Sequence, residues 1–318
     1  MIATRVPDGW DDGVIALGGH FLQSSAWARV QARMRYEVTF DAGAGWCWMG
    51  VVRSTGPFRY LYLPFGPSLA DVTRLSEALR AARDRARNLG CAFVRFEPDA
   101  PRAPELVALG ARQVRSRQHQ HTLTLRIDVD EATLRRGLRS GHRSGINTAE
   151  KRGLTLAQVR DPDDITDFIA LLRQTEARGD FYSHDAPYYH AIADELMPTG
   201  EASLYYASVE GRRVASVLVF DFGPTRHYAF AASDPQRRSA MPGPPLAWRA
   251  ILDGRAKGMH WFDFWGVAPP DEPNHKWAGI TDFKRGFGGQ LHTRSGTWEL
   301  TVRPIRARLF TLAQALRR

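Results

Sequence analysis

Cysteine is scarce in this sequence, with only Cys47 and Cys91 among 318 residues. Each sits in an apolar, strand-like segment. Two isolated thiols make neither a disulfide framework nor a metal-ligand spacing. Long apolar runs are missing as well, so no stable membrane insertion is expected. The opening MIATRVPDGWDDG is polar and acidic and does not read as a signal peptide. A reducing cytoplasm is the expected compartment and a monomer the expected state. There is no heptad-rich insertion to form a long coiled-coil arm. Lysine is rare too: Lys151, Lys257, Lys276 and Lys284 are the only four, and arginine supplies the remaining basic charge.

Several chemistries lack their signatures. His119 and His121 share a face of an extended segment, but no carboxylate or further histidine follows at ligand spacing, so metal hydrolysis is not indicated. No nucleophile elbow supports Ser-His-Asp catalysis. The turn at 234–242, DPQRRSAMP, has no glycine spacing that would bring backbone N–H groups to a pyrophosphate, and Pro242 removes a donor. That counts against coenzyme A.

What is present is an ordinary globular composition, 43% hydrophobic and 24% charged, in a chain long enough for two cored domains. The net charge of +9 favours polyanionic partners such as RNA, nucleotides, phosphorylated substrates or acidic membrane surfaces. Apolar patterning predicts a helix over 20–35 with a cap at Gln23-Ser24-Ser25, strands at 46–53 and 58–65, and a helix at 71–89 stopped by Gly90. A strand at 91–97 and an extended stretch at 112–127 follow. A helical region is expected at 134–153, then helices from Asp161-Pro162 to Arg178 and from Pro187 to Met197. Strands at 202–209, 213–222 and 226–232 precede a helix at 245–257 and a strand at 260–265. Residues 290–303 read as strand and 304–316 as a terminal helix. The order strand 58–65, helix 71–89, strand 91–97 returns as strand 226–232, helix 245–257, strand 260–265. This repetition of order suggests a duplicated α/β unit with mixed sheets.

Residues 260–289, HWFDFWGVAPPDEPNHKWAGITDFKRGFGG, carry the densest chemistry. An aromatic strand enters a Pro-rich loop that ends in a Gly-punctuated, charged turn, where a rigid strand can hold reactive groups. Arg178 suits phosphate through its forked donors. The arginine-dense stretch 135–152 is a candidate for RNA phosphates.

In order and spacing these motifs resemble the FemABX family of aminoacyl-tRNA-dependent peptidyltransferases. The resemblance rests on Leu22-Gln23-Ser24 with Trp27, on Tyr62-Leu63-Pro64-Phe65-Gly66-Pro67, and on Arg143, Ile146, Ala149, Lys151 and Gly153. It continues through Thr175-x-x-Arg178, Tyr188-Tyr189, Ala231-Ala232-Ser233 and Leu246-x-Trp248-x-Ala250-Ile251. It ends in Asp263-Phe264-Trp265-Gly266 and Gly279-Ile280-x-x-Phe283-Lys284-x-Gly286-Phe287-Gly288.

The resemblance implies an α/β chain of two acetyltransferase-like (GNAT-type) domains with mixed sheets. The first would hold 1–125, with 304–318 returning to it, and the second 126–303. It also implies transfer of an amino acid from aminoacyl-tRNA to an amine, in the family usually on the stem peptide of a peptidoglycan precursor. Armless members resemble those using a soluble UDP-linked muropeptide. Such a transfer needs no metal, cofactor or covalent intermediate, only proximity, oxyanion stabilisation and removal of a proton. Lys284 is the expected cation at the carbonyl, with Phe283 shaping its pocket. Arg178, Tyr182 and Tyr228 would contact the acceptor, as would Trp27 and Arg33. Arg139, Arg143 and Lys151 would meet tRNA. Where the family usually carries a lysine four residues after the helix tryptophan, this chain has Gln31, and Arg33 falls on a different side. That departure makes a smaller natural-product acceptor more plausible. An acyl-CoA-dependent GNAT N-acyltransferase is the other alternative, and a non-catalytic RNA-binding module a further one.

Overall fold

The computed structural model describes residues 5–99, 103–176 and 183–315. The chain divides into two units, Met1–Gln120 with Thr293–Arg318, and His121–His292. The division read from the sequence at 125/126 therefore moves to 120/121, because His121 already starts a strand of the second unit's sheet. The return to the first unit comes near 293 and not at 304.

The first unit opens with α1 (Trp10–Ala16), a 3-10 turn at Phe21–Gln23 and α2 (Ser25–Arg33). Ser24 caps α2, its side chain accepting from the Trp27 N–H at 3.0 Å. Then come β1 (Glu37–Gly43), β2 (Trp46–Thr55), β3 (Phe58–Leu63), β4 (Ser68–Leu69), α3 (Leu75–Asn88), β5 (Phe93–Phe96), α4 (Ala103–Ala108) and β6 (Ala111–Gln113). Helix α3 buries Leu75, Ala78, Leu79, Ala82 and Ala86, a 3.6-residue stripe whose small side chains allow close packing on the sheet. It ends at Gly90, whose φ of 72° is left-handed.

The second unit follows with β7 (His121–Arg126), α5 (Glu131–Gly137), α6 (Ser140–Asn147), β8 (Leu154–Val159), α7 (Ile165–Glu176), α8 (Ala186–Leu196), β9 (Ala202–Val209), β10 (Arg212–Phe222) and β11 (Thr225–Ser233). It continues through α9 (Gly243–Ala256), β12 (Trp261–Gly266), α10 (Ala278–Arg285) and β13 (Gln290–Thr293). The chain then returns to the first unit with β14 (Trp298–Thr301) and α11 (Pro304–Ala315).

Each unit holds a seven-stranded mixed sheet. The first runs β1-β2-β3-β5-β14-β6, with β4 on β2; the second runs β13-β7-β12-β11-β10-β9-β8. In both, one pair is parallel: β3 with β5, and β11 with β12. The remaining pairs with a recorded register are antiparallel. The strand at 290–303 proves to be two strands in different sheets, parted by a left-handed Gly296. The stretch 112–127 likewise divides into β6 and β7, with buried His119 between them in loop, so His119 and His121 share no strand. The helical region at 134–153 is broken at Leu138, which is extended, giving α5, α6 and a short 3-10 turn at Glu150–Arg152. Among the described residues, no helix is long and apolar enough to cross a membrane.

Candidate active site

Within the second unit, β11 and β12 pair over only three positions, Thr225↔Trp261, Arg226↔Phe262 and His227↔Asp263. β11 runs on to Ser233, so the two strands part beyond His227 and Asp263. β12 bends at that point: its register on β7 shifts between Asp263 and Gly266, and Trp265 adopts a φ of 64°. A bulky residue in the left-handed region costs on the order of 1 kcal/mol or more and is kept only where its surroundings enforce it. Asp263 provides that enforcement. Its carboxylate accepts the Trp265 N–H at 2.8 Å and the Thr122 hydroxyl, and its other oxygen lies 3.5 Å from His227 Nδ1. Thr122, His227 and Asp263 are all buried.

Helix α10 delivers Lys284 to this place. Thr281 and Lys284 occupy the same inner face three residues apart. The Thr281 hydroxyl accepts the Ala268 N–H at 2.8 Å, and Lys284 Nζ donates to the Gly266 carbonyl at 2.6 Å. The lysine is only 4% exposed. Burial pulls its ammonium group down to about 7, and the nearby Asp263 carboxylate offsets part of that fall. Lys284 therefore stands on the last turn of a helix, not on the loop that its flanking glycines suggested.

Those glycines have a different explanation. Helix α6 grips the end of α10. His142 Nε2 lies 2.9 Å from the Phe283 carbonyl, the Arg139 N–H donates to the Gly286 carbonyl at 2.8 Å, and Arg139 forks onto Asp282 at 2.7 and 2.8 Å. A Cβ on Gly286 would lie 2.4 Å from the His142 ring, so only glycine lets the ring approach. Phe283 is half-buried, between the His142 and Phe287 rings (5.3 and 5.4 Å between centroids) and against Gly243 at the start of α9.

The other expected residues scatter. Arg139 is engaged with Asp282, so it braces the lysine-bearing helix. Arg143 is exposed and donates to the Leu138 carbonyl at 2.9 Å, closing the break between α5 and α6. Lys151 is exposed on the 3-10 turn that follows. Tyr228 is a core residue 4% exposed, its ring beside Phe262 and Phe264, and burial raises its hydroxyl well above the ordinary range. Trp27 is buried in the first unit against Phe21, and Arg33 is exposed there. Arg178 and Tyr182 lie outside the described residues. Sequence reading missed His227, Thr122 and His142. Their neighbours lie up to 145 positions away, and the only available signal was that each is polar within an otherwise apolar or arginine-rich stretch.

Comparison with known proteins bears on the fold. Residues 132–285 match the model of the acetyltransferase (GNAT) domain. No curated protein matches the chain. Among solved structures, FemX superposes with a TM-score of 0.82 at 18% identity, covering 97% of this chain and 99% of that one. The C-terminal domain of a candidate lysylphosphatidylglycerol synthetase from Agrobacterium fabrum gives 0.60 at 14% identity, covering 96% of each chain. A tandem GNAT protein from the clavulanic acid biosynthesis pathway gives 0.53 at 13% identity, covering 95% and 97%. With a mixed sheet in each unit and FemX aligned along nearly its whole length, the chain is a GNAT-fold protein with the architecture of FemX.

Proposed function

We propose that the protein is an aminoacyltransferase that moves an amino acid from aminoacyl-tRNA to an amine, on a peptidoglycan-precursor stem peptide or a smaller acceptor. One observation carries this reading: a buried lysine amine placed where the two parallel strands of a GNAT sheet part. The amine nitrogen of the acceptor attacks the ester carbonyl and forms the C–N bond. The oxyanion that develops meets the protonated Lys284 Nζ, which keeps hydrogens beyond the one given to Gly266. Collapse breaks the C–O bond to the ribose, whose oxygen takes a proton while the attacking nitrogen loses one. Asp263 lets the ammonium group persist in a buried place, and α6 fixes the helix that carries it. Phe283 walls the pocket. Arg178 and Tyr182, by family resemblance, would hold the acceptor's phosphates, and exposed Arg143 and Lys151 would remain open to RNA. Trp27, Arg33 and Tyr228 are supported less, two by burial and one by its departure from the family pattern.

The test is a radiolabel assay with total charged tRNA and two acceptor pools, UDP-linked muropeptide and small natural-product amines, with a control arm in which acetyl-CoA replaces the tRNA. Label transfer from tRNA that disappears in Lys284→Met is the expected result. Acylation from acetyl-CoA alone sinks the reading. The pH profile separates two roles for the lysine. If the charged form stabilises the oxyanion, kcat/KM with a weakly basic acceptor falls as pH rises through about 7. A rise through the same pH would make Lys284 the base that takes the amine's proton.

A further inference from the structure

We propose that the first unit carries a separate site for a small, multiply charged phosphoanion of about nucleotide size. A cavity of about 680 Å³ opens there between strand β6, the segment 114–117 and helix α11. That volume lies in the range of small-molecule sites. Four arginines line it: Arg95, Arg112, Arg115 and Arg117.

Its floor is rigid. Arg95, with its side chain 8% exposed, donates through Nε at 3.0 Å and through Nη2 to one oxygen of Glu299. Arg112 takes the other oxygen at 2.7 Å. The Arg95 guanidinium is also held over the rings of Tyr60 and Phe93, at 4.8 and 5.2 Å, with Phe310 at 6.0 Å. Glu299 therefore has both oxygens occupied and balances one of these two cations. Arg115 and Arg117 are exposed and, among the described residues, make no ion pair. Four guanidinium groups against one carboxylate leave an excess of three positive charges around one hollow.

Packing alone does not call for this arrangement. A buried arginine needs one carboxylate, and three more cations beside it repel one another unless an anion enters. Guanidinium forks match phosphate oxygens in pairs, so two or more linked phosphates would engage several at once. The rest of the lining is mostly hydroxyl and amide groups, among them Thr311 and Gln314, which disfavours an apolar ligand.

The experiment titrates the full-length chain with inorganic pyrophosphate, with ADP and with deacylated tRNA by calorimetry. The variants are Arg115→Ala/Arg117→Ala and, as a control at the other site, Lys284→Met. The double variant removes two exposed side chains that make no ion pair among the described residues, so the fold is expected to be retained. Pyrophosphate and ADP are expected to bind, at least tenfold more weakly in the double variant, unchanged in Lys284→Met, and more weakly as salt is raised. The proposal is overturned if neither small anion binds at millimolar concentration, or if the double variant binds them as the parent does. It is also overturned if tRNA alone binds and only its affinity falls in the double variant, since the hollow would then be an RNA contact. None of these readouts depends on aminoacyl transfer, so this inference and the catalytic reading fail separately.

Discussion

The two units solve the same problem with different residues. Each contains a parallel strand pair that runs for three positions and then ends beside a buried carboxylate. In the first unit the ladder Leu61↔Val94 to Leu63↔Phe96 is followed by Glu97; in the second, the last rung of the ladder is itself His227↔Asp263. Glu97 is saturated by donors. It accepts from the Tyr62 hydroxyl at 2.8 Å, the Thr297 hydroxyl at 2.6 Å and the Phe65 and Gln118 N–H groups at 3.3 and 3.0 Å. Burial nonetheless raises its carboxyl above the ordinary range. Gln23 ties β2 to the chain just past β3, accepting from Met49 N and donating to the carbonyls of Met49 and Pro64. A Cβ on Gly66 would come within 2.7 Å of that amide. The first unit has stopped up its gap with hydrogen bonds. The second has put an ionisable amine beside its own. Equivalent architecture therefore holds a hydrogen-bonded carboxylate in one place and a buried, ionisable amine in the other.

The largest effect should come from the amine. Lys284→Met is expected to lower turnover by about 10²–10³-fold, the usual loss for one oxyanion donor. The same change should raise the melting temperature at pH 7. Burying a lysine whose ammonium has been drawn down from 10.5 to about 7 costs on the order of 4 kcal/mol. The orphaned Gly266 carbonyl returns about 1–3 kcal/mol of that. Differential scanning fluorimetry beside the activity assay checks both halves. A variant that is inactive and also less stable would mean Lys284 is a strut like its counterpart.

Glu97→Ala is next. It strands four donors in the first unit and should cost about 3 kcal/mol in denaturant unfolding. The pH response assigned to Lys284 should survive it. Third is that response. Between about 7 and 10.5 the unfolded chain holds the lysine proton and the folded chain does not, so stability should rise with pH across this window. The increment should vanish in Lys284→Met but remain in Glu97→Ala. Glu97 works in the opposite sense. Its raised folded value makes stability fall as pH climbs from the ordinary carboxyl range to that value. The smallest effect is expected from Arg139→Ala, a loss of kcat under tenfold with KM nearly unchanged, because the residue positions α10 without touching substrate. Restoration by Arg139→Lys would be incomplete, since lysine lacks the fork that meets Asp282.

Much of the sheet structure was legible because strands β2, β3, β5, β9 and β10 are rich in aromatic and branched residues with few polar interruptions. Strand β1 was not, since only Val38, Thr39 and Phe40 are buried between acidic and glycine positions. Helix α10 was hidden for a related reason. Its inward side carries Thr281 and Lys284, so no apolar stripe announces it. The single long element expected at 290–303 split because a Ser-Gly step lets the chain change sheets. The lysine and its neighbour Phe283 could be singled out by family resemblance. Thr122, His227 and Asp263 could not be joined to them, because strand register alone brings them together. Composition made Arg139 a candidate RNA contact; the fork onto Asp282, which ties it to α10, is set by tertiary geometry that composition does not carry.

An amine that gives up its proton near neutrality is itself a nucleophile. In the proposed reaction Lys284 would lie beside an activated ester and would run the risk of becoming the acceptor itself, ending as an amide. Its hydrogen bond to the Gly266 carbonyl holds one N–H and so restrains the aim of the amine. With only four lysines in the chain, a peptide map after exposure to cyanate or charged tRNA would show at once how well that aim protects it.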